Sequence, residues 1–178
     1  IMAIVLGIDP GSRKCGYGLI DVQGTRLQYI ACGVIRVETL LFPERLQKVF
    51  DNLSDIVREY QPQAAAIEEI FVGKSGISAL KLGHARGVAM VACSNQQVPV
   101  FEYASRKVKL AVVGSGNADK AQVQHMIKAL LQLSAVPGED AADALSVAVC
   151  HAHMQQTLIR FAGARSTRRG RLREIKSK

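Results

Sequence analysis

The chain has 178 residues, 48% of them apolar and 21% charged, with a formal net charge of +8. That length supports one domain with a proper core, and the composition is ordinary for a soluble globular protein. The apolar stretch Val88–Cys93 is far too short to span a bilayer, and Ile1–Met2 enters a strand-like run without a cleavage pattern, so no secretory leader is expected.

Ala3–Asp9 reads as a buried strand and Gly11–Lys14 as a turn. Gly16–Asp21 and Arg26–Val37 read as two further strands, joined in hairpin fashion near Gln23 and Gly24. Pro43 suits the first turn of a helix. Leu46, Val49, Phe50, Leu53, Ile56, Val57 and Tyr60 keep helical period up to Pro62. Gln63–Glu68 is the fourth strand. Val72–Ser78, with Gly73 and Gly76, reads as a loop, Ala79–Asn95 as a helix and Val98–Tyr103 as a fifth strand. A helix over Ser105–Val113 is broken at Gly114. Asp119 caps another that runs to about Leu133, and a last helix runs from Asp140 to about Gln156. Three strands followed by helical crossovers predict an α/β fold: a mixed five-stranded sheet with helices on both faces. The folded domain is expected to occupy residues 1–157 and a basic, flexible tail residues 158–178.

Four carboxylates stand where elements begin or end. Asp9 closes the first strand and Glu68 the fourth, and in such sheets sites form at the carboxyl ends of adjacent strands. If strands one and four are neighbours, these side chains lie a strand spacing apart, about 4.8 Å. Asp140 and Asp143 open the last helix three residues apart, on one face. As cap and first-turn residues both also suit a helix N-terminus. Buried or half-buried carboxylates need partners, and no basic residue sits close to any of the four in sequence. A divalent cation such as Mg²⁺ is the economical partner.

The charge is uneven. Residues 160–178 hold eight basic residues against Glu174 alone, so the tail carries +7 of the chain's +8. Residues 74–128 hold eight more against Glu102 and Asp119. Such regions attract phosphate backbones without reading sequence, and Lys74, Lys81, Arg106, Lys107, Lys109 and Lys120 are the candidate contacts. Phe71, between the acidic strand end and a Gly-rich loop, suits either the core or a base-stacking wedge. Cys15, Cys32, Cys93 and Cys150 have no paired or metal-binding spacing and read as reduced thiols of a cytoplasmic protein, with Cys93 and Cys150 as core filler. His84, His125, His151 and His153 show no zinc spacing, and His151 and His153 read as surface residues. Gly83 and Gly87 permit close helix approach, in the core or at a dimer seam.

The strings GIDPGSRKCGYG, AAIEEIF, SALKLGHARGVA, VFEYASRKVK and DAADALSVA together resemble the RuvC Holliday junction resolvases, over essentially residues 2–156. The resemblance implies a ribonuclease H-like fold and a homodimer that cuts two opposing strands of a four-way DNA junction, in recombination and repair. It implies Mg²⁺ dependence, with two ions per site and Mn²⁺ as a substitute, and products with 5′-phosphate ends. It also implies a junction-binding and branch-migrating complex of the RuvA and RuvB type as partner. Asp9, Glu68, Asp140 and Asp143 match the catalytic, metal-binding set. Lys109 and Lys120 match basic positions linked to DNA contact, and Phe71 the aromatic linked to junction opening. Three other classes are weighed against this one. The Asp9-Pro10-Gly11-Ser12 turn also resembles the phosphate loop of actin-like ATPases, but one domain cannot supply their two lobes. A non-catalytic nucleic-acid-binding module leaves the four carboxylates unexplained. A ribonuclease or transposase of the same fold is the nearest enzymatic competitor.

Overall fold

A computed structural model describes residues 2–69 and 76–163, together with 167–168 and 171–172. The elements in chain order are β1 (Met2–Asp9), β2 (Lys14–Gln23), β3 (Arg26–Arg36), α1 (Phe42–Tyr60), β4 (Ala64–Glu68), α2 (Gly76–Ser94), β5 (Val100–Tyr103), α3 (Ser105–Val113), α4 (Lys120–Leu130) and α5 (Glu139–Gly163). Two dipeptide strands, β6 (Thr167–Arg168) and β7 (Arg171–Leu172), pair antiparallel with each other.

The five main strands form one sheet in the order β3-β2-β1-β4-β5. β1 pairs antiparallel with β2 and parallel with β4. β2 and β3 are antiparallel, β4 and β5 parallel. This is the mixed five-stranded sheet the sequence predicts, and strands one and four are neighbours.

Side chains alternate across the sheet, because successive residues of a strand point to opposite faces. Leu6, Ile8, Leu19 and Ile67 pack on one face with Val49, Leu53 and Val57 of α1 and Ala89, Ala92 and Cys93 of α2. Val5 and Ile20 pack on the other with Val123 and Ile127 of α4 and Leu145, Ala148 and Val149 of α5. Ala66, Tyr103 and Val108 extend that second layer to Val147 and Cys150. Both faces are covered, which is why β1 and β4 are apolar throughout until their last residues.

Local chemistry sets most boundaries. Pro43 lies in the first turn of α1, and Gln61 ends that helix in the left-handed region at φ 46° before Pro62. At α4, Asp119 Oδ1 accepts from the Gln122 amide at 2.8 Å while Gln122 Oε1 accepts from the Asp119 amide at 2.9 Å, a reciprocal cap. β5 begins at Val100 rather than Val98, since Pro99 has no N–H to give a ladder; its carbonyl accepts from Ala65 at 2.9 Å. α2 begins at Gly76, inside the stretch read as a loop. Residues 72–75 of that stretch lie outside the described residues. α4 stops at Leu130 rather than Leu133, and α5 continues past residue 157 to Gly163.

Candidate active site

The strand alternation that builds the core also aims the carboxylates. Asp9 stands four residues beyond Val5 on β1, hence on the α5 face. Glu68 stands two beyond Ala66 on β4, hence on the same face. The β1–β4 ladder runs from Val5↔Ala64 to Ile8↔Ile67, so Asp9 and Glu68 follow side by side at the carboxyl edge.

The other half of the site comes from α5, which lies directly on the backbone of β1 and β2. A Cβ at Gly7 would overlap the Ala144 carbonyl oxygen, and one at Gly16 would overlap the Asp140 carbonyl oxygen. At Gly18 it would sit 2.7 Å from the Leu145 side chain. These glycines let the helix come close enough for its first turns to project Asp140 and Asp143 over the strand ends. Asp9, Glu68, Asp140 and Asp143 line one cleft of about 450 Å³, with Lys109 of α3, Lys120 at the start of α4, Glu69, Glu139 and Ser146.

The crowding of carboxylates shows in their protonation. Burial pushes the Asp9 carboxyl up to about 7, reinforced by Asp143, Glu68 and Asp140 and opposed by Lys120. Asp143 is also raised, first by burial, while Lys120 and Lys109 pull it down. Among the described residues, no three histidine, cysteine, aspartate or glutamate side chains are gathered tightly enough to close around one ion. The donor set nevertheless fits a hard cation such as Mg²⁺, which keeps waters and takes phosphate oxygens beside one or two carboxylates.

Although no basic residue sits close to them in sequence, the fold brings cations to the carboxylates. Lys14 Nζ lies 3.8 Å from Asp140 Oδ2, and Lys120 pairs with Glu139. Arg86 of α2 donates from Nε to the Glu68 carbonyl at 3.2 Å and pairs with Glu102. Lys14, Arg86 and Glu139 were not singled out by the sequence: each acts across elements, where no spacing rule reaches. Of the other candidate DNA contacts, Lys81 sits 6.0 Å from the Phe42 ring centre and Lys107 5.3 Å from that of Tyr103. Arg106 lies over Gly116. None of these three lines the cleft. Phe71 and Lys74 lie outside the described residues. His151 is buried, not at the surface, with its Nδ1 2.9 Å from the Tyr103 hydroxyl. Cys93 and Cys150 are core residues, as expected. Gly83 and Gly87 are exposed, and a Cβ added at either would meet nothing within 4 Å among the described residues, so neither serves close packing inside the protomer core.

The family model for the crossover junction endodeoxyribonuclease RuvC matches residues 5–151. The chain belongs to the RuvC family. Relatives include the RuvC of Teredinibacter turnerae, 59% identical over 175 residues, covering 96% of this chain and 99% of that one. The RuvC of Vibrio cholerae is 54% identical over 173 residues, covering 97% and 100%. The solved structure of Thermus thermophilus RuvC in complex with a Holliday junction substrate is 31% identical, with a TM-score of 0.82 over 87% of this chain and 96% of that one. The yeast mitochondrial Holliday junction resolvase, at 12% identity and a TM-score of 0.63, shares the fold. The sheet and helices of this RuvC-family chain are thus ribonuclease H-like. Among its described residues no helix is long and apolar enough to cross a membrane.

Proposed function

We propose that this chain resolves four-way DNA junctions by metal-dependent hydrolysis of two opposing strands, in homologous recombination and repair. The observation that carries the reading is the meeting of Asp9, Glu68, Asp140 and Asp143 in one cleft beside Lys109 and Lys120. Four carboxylates alone would repel a phosphodiester; with divalent cations among them the cleft becomes a phosphate site. Asp9, Glu68, Asp140 and Asp143 would hold those ions, Mg²⁺ in the first instance and Mn²⁺ as a substitute. Bound divalent ions supply positive charge to the phosphate and lower the pKa of an attacking water. Lys109 and Lys120, on helices that border the carboxylates, give the DNA backbone its point charges. The expected products are a 5′-phosphate and a 3′-hydroxyl.

A homodimer would present two such clefts to the two symmetry-related strands of a junction. Its seam is assigned to α2, where Ile77, Leu80 and Val91 are 71%, 63% and 54% exposed and share a face with Gly83 and Gly87. Phe71 and Lys74 are proposed contacts at the junction, with Lys81, Arg106 and Lys107 as outer phosphate contacts. A branch-migration complex of the RuvA and RuvB type is the proposed partner.

The test is cleavage of a synthetic four-way junction against duplex DNA and an RNA–DNA hybrid, in Mg²⁺ and in EDTA. Paired nicks confined to the junction, with ligatable ends and only with metal, are the expected result. Preferential cutting of the hybrid would make the chain a ribonuclease instead.

A further inference from the structure

A second groove of about 520 Å³ opens beside the catalytic cleft and shares one wall with it, Asp140. Gly11, Ser12, Arg13, Lys14 and Glu38 form the rest. We propose that this groove takes the backbone phosphate next to the one that is cut, with Arg13 and Lys14 as its binding cations; the proposal rests on the junction-cutting reading above.

Three observations support it. The groove is rigid where it carries charge: the Arg13 carbonyl accepts from Val37 at 3.0 Å, and Arg45 reaches across to donate to the Ser12 carbonyl at 3.2 Å. Arg45 also donates to the carbonyls of Leu40 and Glu38, at 2.8 and 3.0 Å, so one guanidinium ties the turn to the segment leading into α1. Binding groups on a fixed frame lose less freedom when they engage a ligand. Next, the cations there are available. Arg13 is exposed. Lys14 Nζ stands 3.8 Å from Asp140, beyond the 2.7–3.2 Å of a direct hydrogen bond, and its side chain is 43% exposed. The acid opposite them, Glu38, pairs with Arg36, whose Nη1 is 3.7 Å away, and feels Lys14 as a weaker second cation.

The third observation is position. Lys109 and Lys120 border the carboxylates from α3 and α4, while β2, which carries Lys14, lies on the other side of β1 from β4. Arg13 and Lys14 line the groove that meets the cleft at Asp140, so a strand held at the carboxylates by Lys109 and Lys120 would reach them next. The DNA would then run across the carboxyl edge of the sheet from β4 toward β2. When Asp140 engages a cation, Lys14 loses its only carboxylate within 4 Å among the described residues, and a phosphate is the natural replacement.

The proposal is tested with four-way junctions carrying single neutral methylphosphonates at each position around the cut, bound by the wild-type chain and by Arg13→Gln and Lys14→Gln variants. Neutralising the adjacent phosphate should weaken wild-type binding several-fold and leave the double variant almost unaffected, a coupling that a merely structural lysine would not produce. The double variant should flatten the slope of log affinity against log salt by about 0.9 for each phosphate it no longer neutralises, and Lys14→Arg should restore part of it. Additive losses at every phosphate, with an unchanged salt slope, would overturn the subsite while leaving the junction reading intact. A wild-type chain that leaves the four-way junction uncut would overturn both.

Discussion

At the residue scale, Asp9 carries the sharpest consequence. Its carboxyl is raised from an ordinary 3.8 to about 7 in the folded, metal-free chain. Between those values the folded state binds the proton that the unfolded state has released. Stability is therefore fully present below about pH 4 and is lost as pH rises through 7. The loss is on the order of 4 kcal/mol at most. Asp9→Asn removes the ionisable group, so it should melt higher than wild type in EDTA at pH 8 and the same near pH 4, while cleaving nothing. Thermal melts across that pH range decide the point; equal melting of the two proteins at pH 8 would mean that Asp9 is not crowded. The same proton must leave before a cation can be held, so Mg²⁺ should stabilise wild type more strongly at pH 8 than at pH 6. Lys120 opposes the rise at Asp9 but is outweighed by burial and three neighbouring carboxylates, whereas Lys120 and Lys109 both pull Asp143 down, which makes Asp9 the better subject for this test.

At the scale of elements, the site depends on how closely α5 lies on β1 and β2. Gly16→Ala would push a methyl into the Asp140 carbonyl oxygen. Overpacking of this kind costs about 1–3 kcal/mol and shifts the backbone. Here the shifted backbone bears Asp140 and Asp143, so cleavage should fall further than stability alone accounts for. A denaturant melt beside a cleavage assay separates the two; full activity in a destabilised Gly16→Ala chain would show that α5 tolerates displacement. α2 offers the opposite case. Gly83→Ala meets nothing within 4 Å and, in an isolated protomer, should add about 0.5–1 kcal/mol. Leu80→Glu, on the same exposed face, should leave the protomer folded but halve the particle mass seen by sedimentation. An unchanged mass would remove α2 from the proposed seam.

For the whole molecule, the question is which charges bind and which select. The carboxylates sit on one edge of a sheet, with Lys109 and Lys120 at fixed positions beside them, while much of the net charge lies at the C-terminal end of the sequence. Residues 164–178 hold seven basic residues and Glu174. Removing them after Gly163, where α5 ends, should leave a folded, junction-selective nuclease. Binding to junction and duplex should both lose salt dependence, about 0.9 in slope for each phosphate left without its cation, with duplex affinity falling proportionally more. Loss of junction preference with duplex affinity intact would make these residues a selectivity element.

By itself the sequence determined the order of strands and helices, the mixed sheet and the four carboxylates. Each of these is written in local terms: apolar runs ending in Asp9 and Glu68, Pro and Gly at element ends, and the three-residue spacing of Asp140 and Asp143. Family-like strings added what those carboxylates are for. Tertiary structure decided what depends on residues far apart in the chain. It brought Lys14 to Asp140 and Arg86 to the Glu68 carbonyl, and it buried His151 against Tyr103. It also showed Gly7, Gly16 and Gly18 as the bed of α5, whereas Gly83 and Gly87 face outward. A glycine in a strand reads alike whether a helix presses on it or nothing does, and a lysine's partner is set by packing rather than by its neighbours in sequence. Local patterns specify elements because backbone geometry is local; ion pairs and close approaches belong to surfaces that exist only after the elements meet.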